Sequence, residues 1–315
     1  MKTSVTSVVK SIIAGTVASL PRGGRDAVTD RLVVKGMPFR VFSKLATQFN
    51  VLSVSVNGEY GIIQSAASDV TILSVYALTG RWASLANDLF QDFFERHDGG
   101  TYIDVGANIG LTTIPVARNP NVRCFAIEPE PTNYTNLVRN IEVNCRNNNV
   151  TAFQTAVYSR VDLLQFEIAS ASGNLGDHRI RNNDALGAFQ EHMRPTISVQ
   201  AAPLDTIVSH VWGPLAVKID TEGAEPFVVV GGKKTLEKCQ LLVLEFWPYA
   251  MARLGADCES MIRYLEENYT SVAFSKEEES LSEKLPVAQG AAALRVMARD
   301  HRDNPYEYFD VVATR

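Results

Sequence analysis

Residues 102–128 read YIDVGANIGLTTIPVARNPNVRCFAIE, and that run limits the chain to few folds. Tyr102-Ile103-Asp104-Val105 is long enough for a buried strand. Gly106, Ala107, Asn108, Ile109 and Gly110 follow, and a helical pattern opens at Leu111. A second apolar run over 122–127 ends in Glu128. Strand, glycine turn, helix, strand and acid in that order predict a unit of a parallel sheet with crossover helices.

The unit also predicts a ligand. Gly106 and Gly110 let the backbone turn where a Cβ would clash. Amides at a helix start are unpaired and carry the positive end of its dipole. An acid at the tip of the second strand can accept hydrogen bonds from ribose hydroxyls. A nicotinamide dinucleotide and S-adenosylmethionine (SAM) both carry a ribose. The dinucleotide fingerprint is G-x-G-x-x-G, its middle glycine lying against the pyrophosphate. Here Asp104-x-Gly106-x-Asn108-x-Gly110 puts asparagine at that place, and Asp104 can receive an ammonium group. A zwitterionic amino-acid tail suits this pattern better than two phosphates do.

The rest of the chain continues the alternation. Asn57-Gly58, between Val54-Ser55-Val56 and Tyr60-Gly61-Ile62-Ile63, signals a hairpin. Helical patterns cover 82–94, 132–145 (with Thr132 as N-cap) and 256–268, and strands are expected at 150–157, 215–219, 241–244, 270–274 and 309–313. Residues 164–168 and 197–199 read as exposed strands around a polar loop holding Gly173, Gly176, His178, Arg179 and His192, an insertion placed to cover a site. The acid run Glu277-Glu278-Glu279 reads as a solvated loop. Val5, Val8, Val9, Ile12, Ile13, Val17 and Leu20 form a one-sided helical stripe over 2–20, suited to packing on the protein or to weak contact with a partner or membrane surface.

Net charge is −5, from 30 basic and 35 acidic residues, which argues against nucleic-acid binding driven by phosphate neutralisation. The four cysteines show no C-x-x-C pair and read as reduced thiols of a cytoplasmic protein.

Several segments together resemble FkbM-type SAM-dependent methyltransferases. They are Ile103-Asp104-Val105-Gly106-Ala107-Asn108-Ile109-Gly110, Glu128-Pro129, Leu204-Asp205, Lys218-Ile219-Asp220-Thr221-Glu222-Gly223-Ala224-Glu225 and the strand end Leu244-Glu245. Order and spacing match as well, over about residues 60–315. The resemblance implies a Rossmann-like, doubly wound, mostly parallel seven-stranded sheet with an antiparallel last strand. It also implies SAM as cofactor and O-methylation of a sugar, glycan or natural-product acceptor. Asp104, Gly106 and Gly110 would line the methionine and ribose portion of SAM with Asn108 beside them. Glu128, followed by Pro129, would hold the ribose hydroxyls, and Thr155 and Ala156 would border the adenine. Gly80-Arg81-Trp82-Ala83 departs from the pattern, because many relatives show Trp followed by Glu there.

The expected organisation is an N-terminal helix and cover region over 1–85, then a methyltransferase domain over 86–315 with an insertion at about 158–203. Ligands of a doubly wound sheet bind outside the carboxyl ends of its strands, so Asp220, Glu222 and Glu245 all fall on the reactive edge. They are the candidate bases for the acceptor hydroxyl, with His178 or His192 reaching in from the insertion. Glu225 reads as charging the first turn of the next helix. Asp-x-Glu can hold a hard cation, but the Asp-Asn pair of metal-dependent catechol-type enzymes is absent, so no metal is expected. Two other readings remain: a nicotinamide oxidoreductase, opposed by the missing glycine and the lack of a Tyr-x-x-x-Lys base, and a non-catalytic adenosyl-ligand-binding or membrane-docking protein.

Overall fold

The computed structural model describes residues 51–169, 174–182, 186–276 and 280–315. The stripe over 2–20, Gly173 and the run at 277–279 lie outside the described residues. The chain gathers into two compact units, residues 51–82 with 174–175 and residues 83–169 with 176–315.

In the first unit β1 (Ser53–Gly58) pairs antiparallel with β2 (Gly61–Ala66), and α1 (Ile72–Thr79) follows. The hairpin forms, but Asn57-Gly58 is not its turn. Asn57 pairs with Ile62 and Gly58 with Gly61, so the chain reverses at Glu59-Tyr60. Gly58 is needed for packing instead, since a Cβ there would meet the Tyr76 ring at 2.4 Å and the Gly80 carbonyl at 2.8 Å. Asp69, fully buried, starts α1 by accepting from the amides of Ile72 and Leu73 and from the Ser65 hydroxyl.

The second unit opens with α2 (Ser84–Arg96), then β3 (Gly100–Val105), α3 (Thr113–Ala117), β4 (Val122–Ile127), α4 (Pro131–Asn144) and β5 (Val150–Phe153). The chain leaves this sheet for β6 (Ala156–Val157), β7 (Asp162–Glu167), β8 (Arg179–Ile180) and β9 (Thr196–Ala202), then returns through α5 (Leu204–Ile207) to β10 (Leu215–Ile219). It ends with α6 (Glu225–Gly231), α7 (Lys233–Leu236), β11 (Cys239–Phe246), α8 (Pro248–Leu254), α9 (Cys258–Asn268), β12 (Ser271–Ser275), β13 (Leu285–Pro286), α10 (Val287–Asp300) and β14 (Phe309–Thr314). The main sheet runs β13-β12-β14-β11-β10-β3-β4-β5. Its strands from β5 to β11 are parallel, and β14 enters antiparallel between β11 and β12. This is the doubly wound sheet with an antiparallel last strand that the sequence predicted. It has eight strands rather than seven because the two-residue β13 extends the β12 edge.

β3 and β10 are buried at every position, as central strands covered on both faces must be. Ile103, Val105, Val217, Ile219, Leu242 and Leu244 from the three central strands lie in one apolar core. Three local expectations change. The helix predicted from Leu111 is only the five residues of α3, with Pro115 inside it and Pro120 soon after. The strand predicted over 150–157 divides into β5 and β6, and β6 joins the second sheet, β6-β9-β7-β8. The cap of α4 is Glu130, whose Oε2 accepts from the Asn133 amide at 2.6 Å, with Pro131 first in the helix and Thr132 inside it. Among the described residues no helix is long and apolar enough to cross a membrane.

Just past the carboxyl ends of β3 and β10 the two backbones lie close together. Gly106 has φ +85°, and a Cβ there would lie 1.8 Å from the Asp220 carbonyl oxygen. Gly106→Ala therefore combines left-handed strain with a backbone clash and should cost about 3 kcal/mol, lowering Tm by roughly 10 °C. An unchanged melting curve would contradict this close approach.

Candidate active site

The loop after β3 is built on the end of β4. The amides of Gly106 and Ala107 both donate to the Ile127 carbonyl, at 2.9 and 3.0 Å. Asn108 takes a left-handed φ of 51°, which turns its amide onto Glu128 Oε2 at 2.9 Å. Glu128 Oε1 accepts from the Glu130 amide at 2.8 Å. Both carboxylate oxygens are thus fixed, each with lone-pair capacity left for another donor. Burial pushes the Glu128 carboxyl up to about 8, against the pull of its two amide partners.

The glycines serve a different purpose from the one their spacing suggested. Gly106 makes room for the Asp220 backbone. Gly110, at φ +93°, makes room for Leu137 and Ile114, whose Cδ1 atoms lie 2.9 and 3.2 Å from where its Cβ would be. They bring protein against protein, and the loop shape follows from that.

Asp104 lies beneath the loop, fully buried. Its Oδ2 accepts from the hydroxyls of Thr112 and Thr113, each at 2.6 Å, while its buried Oδ1 makes no hydrogen bond. Burial raises its pKa, and Lys218 and the two threonines oppose that rise. Lys218 Nζ bonds Asp220 Oδ2 at 2.8 Å. Burial disfavours the ammonium, but Asp220 and Asp104 together hold its pKa above the ordinary lysine range. A single buried cation therefore joins the acid of the glycine loop to the acid of the next strand. Alternation in β10 places Lys218 and Asp220 on one face, a signal present in the sequence but unused there.

Past Asp220 the chain makes a tight loop. Glu225, the first residue of α6, turns back and accepts from the Thr221 amide at 2.7 Å, the Thr221 hydroxyl at 2.8 Å and the Gly223 amide at 3.1 Å. It charges the first turn of α6 as expected, and it also fastens the preceding loop to that turn. The loop holds Glu222 at φ 57°, a left-handed conformation uncommon for a side-chain-bearing residue. Burial pushes the Glu222 carboxyl up to about 8, with Arg179 lowering it and Asp220 raising it. Glu245 lies inside β11 rather than beyond it, 9% exposed, with Oε2 buried and unbonded. Burial, then Glu222, Asp220, Glu225 and Asp310, drive its pKa well above the ordinary range. Asp220, Glu222 and Glu245 converge as expected, one oxygen of each lying within 4.8 Å of the others.

The insertion brings in a second group. His178 Nδ1 accepts from the Ala169 amide at 2.9 Å, and burial lowers its pKa. The neutral ring therefore keeps its proton on Nε2 and presents a donor. Arg179 lies over the Trp247 ring at 4.7 Å and ion-pairs with Asp177. Its charge bears on Glu222, a link the sequence gave no means to find. His192 sits on the single turn Glu191–Met193. Thr155 follows β5 and donates to the Gln200 carbonyl at 3.0 Å, and Ala156 is buried in β6. Pro129 lies half-buried between Glu128 and Glu130.

A doubly wound sheet with a glycine loop, a buried acid at the tip of the next strand and carboxylates on the same edge defines a nucleoside-cofactor enzyme of the Rossmann-like class. The family described as the methyltransferase FkbM domain matches residues 104–272, and the chain belongs to that family, whose cofactor is SAM. No curated protein sequence matches it. Among solved structures, it is similar to the FkbM methyltransferase of Methylobacillus flagellatus, with 12% identity, TM-score 0.33, and coverage of 70% of this chain and 48% of that one. This chain thus spans about half the length of that relative. M. jannaschii TYW2, in complex with AdoMet, has 14% identity, TM-score 0.37, and coverage of 84% and 85%. A putative rRNA methylase from Clostridium thermocellum has 10% identity, TM-score 0.38, and coverage of 73% and 95%. These structural likenesses are too slight to bear on acceptor or mechanism.

Removing Lys218 should show how far the site depends on it. Lys218→Met leaves Asp104 and Asp220 without their shared cation and should cost about 3 kcal/mol in denaturant unfolding. Adding Asp220→Asn should recover part of that loss. A cost below about 0.5 kcal/mol, the size expected of a solvated pair, would contradict the charge link.

Proposed function

We infer that the chain transfers a methyl group from SAM to a hydroxyl oxygen of a sugar, glycan or natural-product acceptor. The observation that carries this reading is the physical continuity of one sheet edge. Glu128 holds the Asn108 amide, Gly106 two residues earlier touches the Asp220 backbone, and Asp220 converges with Glu222 and Glu245.

The residues suit SAM. Glu128 has lone pairs to offer ribose hydroxyls, and Asp104 keeps a buried carboxylate oxygen without a partner. Thr155 and Ala156, just after β5, would border the adenine on this reading. When bound, SAM supplies a methyl carbon activated by its sulfonium. The chain's own task is to orient the acceptor oxygen and take its proton. Asp220 and Glu222, both half-buried, are placed to receive that proton at the rim of the edge. His178, fixed as a donor, orients the acceptor rather than deprotonating it.

The test is calorimetric titration of the full chain with SAM, S-adenosylhomocysteine and NAD, beside Asp104→Ala and Glu128→Ala. Saturable binding of both adenosyl ligands, lost in the variants, is the expected result. NAD binding without adenosyl binding would replace the reading with the oxidoreductase.

Glu128 adds a pH signature. Its carboxyl titrates at about 8 in the free protein, and ribose hydroxyls donate only to favour its ionised form. Binding below that pH therefore expels a proton. Affinity should rise about tenfold per pH unit up to that point and level off above it. Calorimetry in buffers of different ionisation enthalpy counts the protons, and a count of zero at neutral pH would contradict the assignment of Glu128.

A further inference from the structure

The carboxylates at the ends of β10 and β11 gather more negative charge than their neighbours offset. Four acids act on Glu245, namely Glu222, Asp220, Glu225 and Asp310. Among the described residues the cations facing the group are Lys218, bonded to one oxygen of Asp220, and Arg179 and Arg194, whose charges bear on Glu222. Glu225 is committed to the 221–223 loop, and of the other acids Asp220, Glu222 and Glu245 are the three that bring an oxygen each within 4.8 Å of one another.

Glu245 supplies independent evidence. It is about nine-tenths buried, yet its Oε2 makes no hydrogen bond. A buried carboxylate oxygen left unpaired costs free energy that nothing in its surroundings repays. The side chain points into the space that Asp220 and Glu222 border, where one oxygen from each of the three lies within 4.8 Å of the others. Hard divalent cations hold oxygen ligands at roughly 2.0–2.6 Å, so oxygens on opposite sides of such an ion stand about 4–5 Å apart. Three oxygens with this spread can share one ion with only side-chain adjustment.

We propose that Asp220, Glu222 and Glu245 form a site for one hard divalent cation, Mg²⁺ or Mn²⁺, on the acceptor side of the sheet edge. The sequence offered only the two ligands of Asp-x-Glu. The fold adds the third from the parallel neighbour β11, where Glu245 pairs in register with Asp310 across β14. Three carboxylates leave coordination positions open for water and for an acceptor oxygen. The ion's role rests on the methyl-transfer reading: a hydroxyl bound to it becomes more acidic, and the Glu222 oxygen that does not touch the ion takes its proton. The ion site itself does not rest on that reading.

Mn²⁺ tests the proposal directly, because free and bound ion differ in electron paramagnetic resonance. The full chain is titrated with MnCl₂ at mildly alkaline pH, alongside Glu222→Gln and Glu245→Gln. One saturable site per chain is expected, weakened about tenfold or more in each variant, in line with the loss of a charged ligand. SAM titration of the same variants reports on their folding. No saturable binding below millimolar Mn²⁺, or binding that both variants leave unchanged, would overturn the site. Methyl transfer unaffected by EDTA, with SAM binding intact, would overturn the ion's role and leave the methyltransferase reading in place. Mn²⁺ binding in a chain that binds no SAM would do the reverse.

Discussion

The close approach of Gly106 to the Asp220 carbonyl is the contact on which the candidate site depends. β3 and β10 run parallel in register from Leu215 and Thr101 to Ile219 and Val105, and the Asp220 amide still donates to the Val105 carbonyl at 2.9 Å. A side chain at 106 would push the two strand ends apart. With glycine there, the loop that carries Asn108 and the loop that carries Glu222 leave the sheet side by side. On the proposed reading, one backbone contact thus sets the spacing of the loop that would hold the cofactor and the loop that would face the acceptor.

The electrostatics follow from that proximity. Asp104, Lys218 and Asp220 lie across two adjacent strands, and Lys218 belongs to both acids. Among the described residues no such cation is bonded to Glu128, Glu222 or Glu245, and burial raises the pKa of each. For an acid whose pKa rises on folding, the folded state holds the proton more tightly, so stability declines as pH climbs from the unfolded value through the folded one. These acids at the sheet edge thus disfavour folding in alkaline solution. A ligand that donates hydrogen bonds or positive charge to them offsets that penalty, as SAM would on the proposed reading with its ribose hydroxyls and its ammonium.

Much of this was legible in the sequence, for identifiable reasons. The order of strand, turn, helix and strand fixed the parallel sheet, because buried central strands read as continuous apolar runs. Asp220, Glu222 and Glu245 were placed on one edge because ligand sites in such sheets lie at strand carboxyl ends. What could not be read depends on partners distant in the chain. The Asn57-Gly58 pair carries a turn signal, yet the Tyr76 ring occupies the space beside Gly58, so the reversal falls on Glu59-Tyr60. Thr132 is a good cap by type, yet Glu130 with Pro131 after it captures the start of α4. The split of β5 from β6 follows from pairing with β9, over forty residues away in the chain.

His178 shows why residue type alone does not assign a role. Its place in the insertion made it a candidate base, and the fold does bring it into the buried interior of the unit. The Ala169 amide then occupies Nδ1, and a neutral imidazole with one nitrogen accepting must carry its hydrogen on the other. The charges of Glu130 and Arg194 act on the ring in opposite directions, while burial keeps it neutral. On the proposed reading proton removal falls to the carboxylates, and burial raises the pKa of Glu222 toward neutrality, where a general base works best. The same burial that costs stability at this edge makes its acids better suited to take a proton from a hydroxyl.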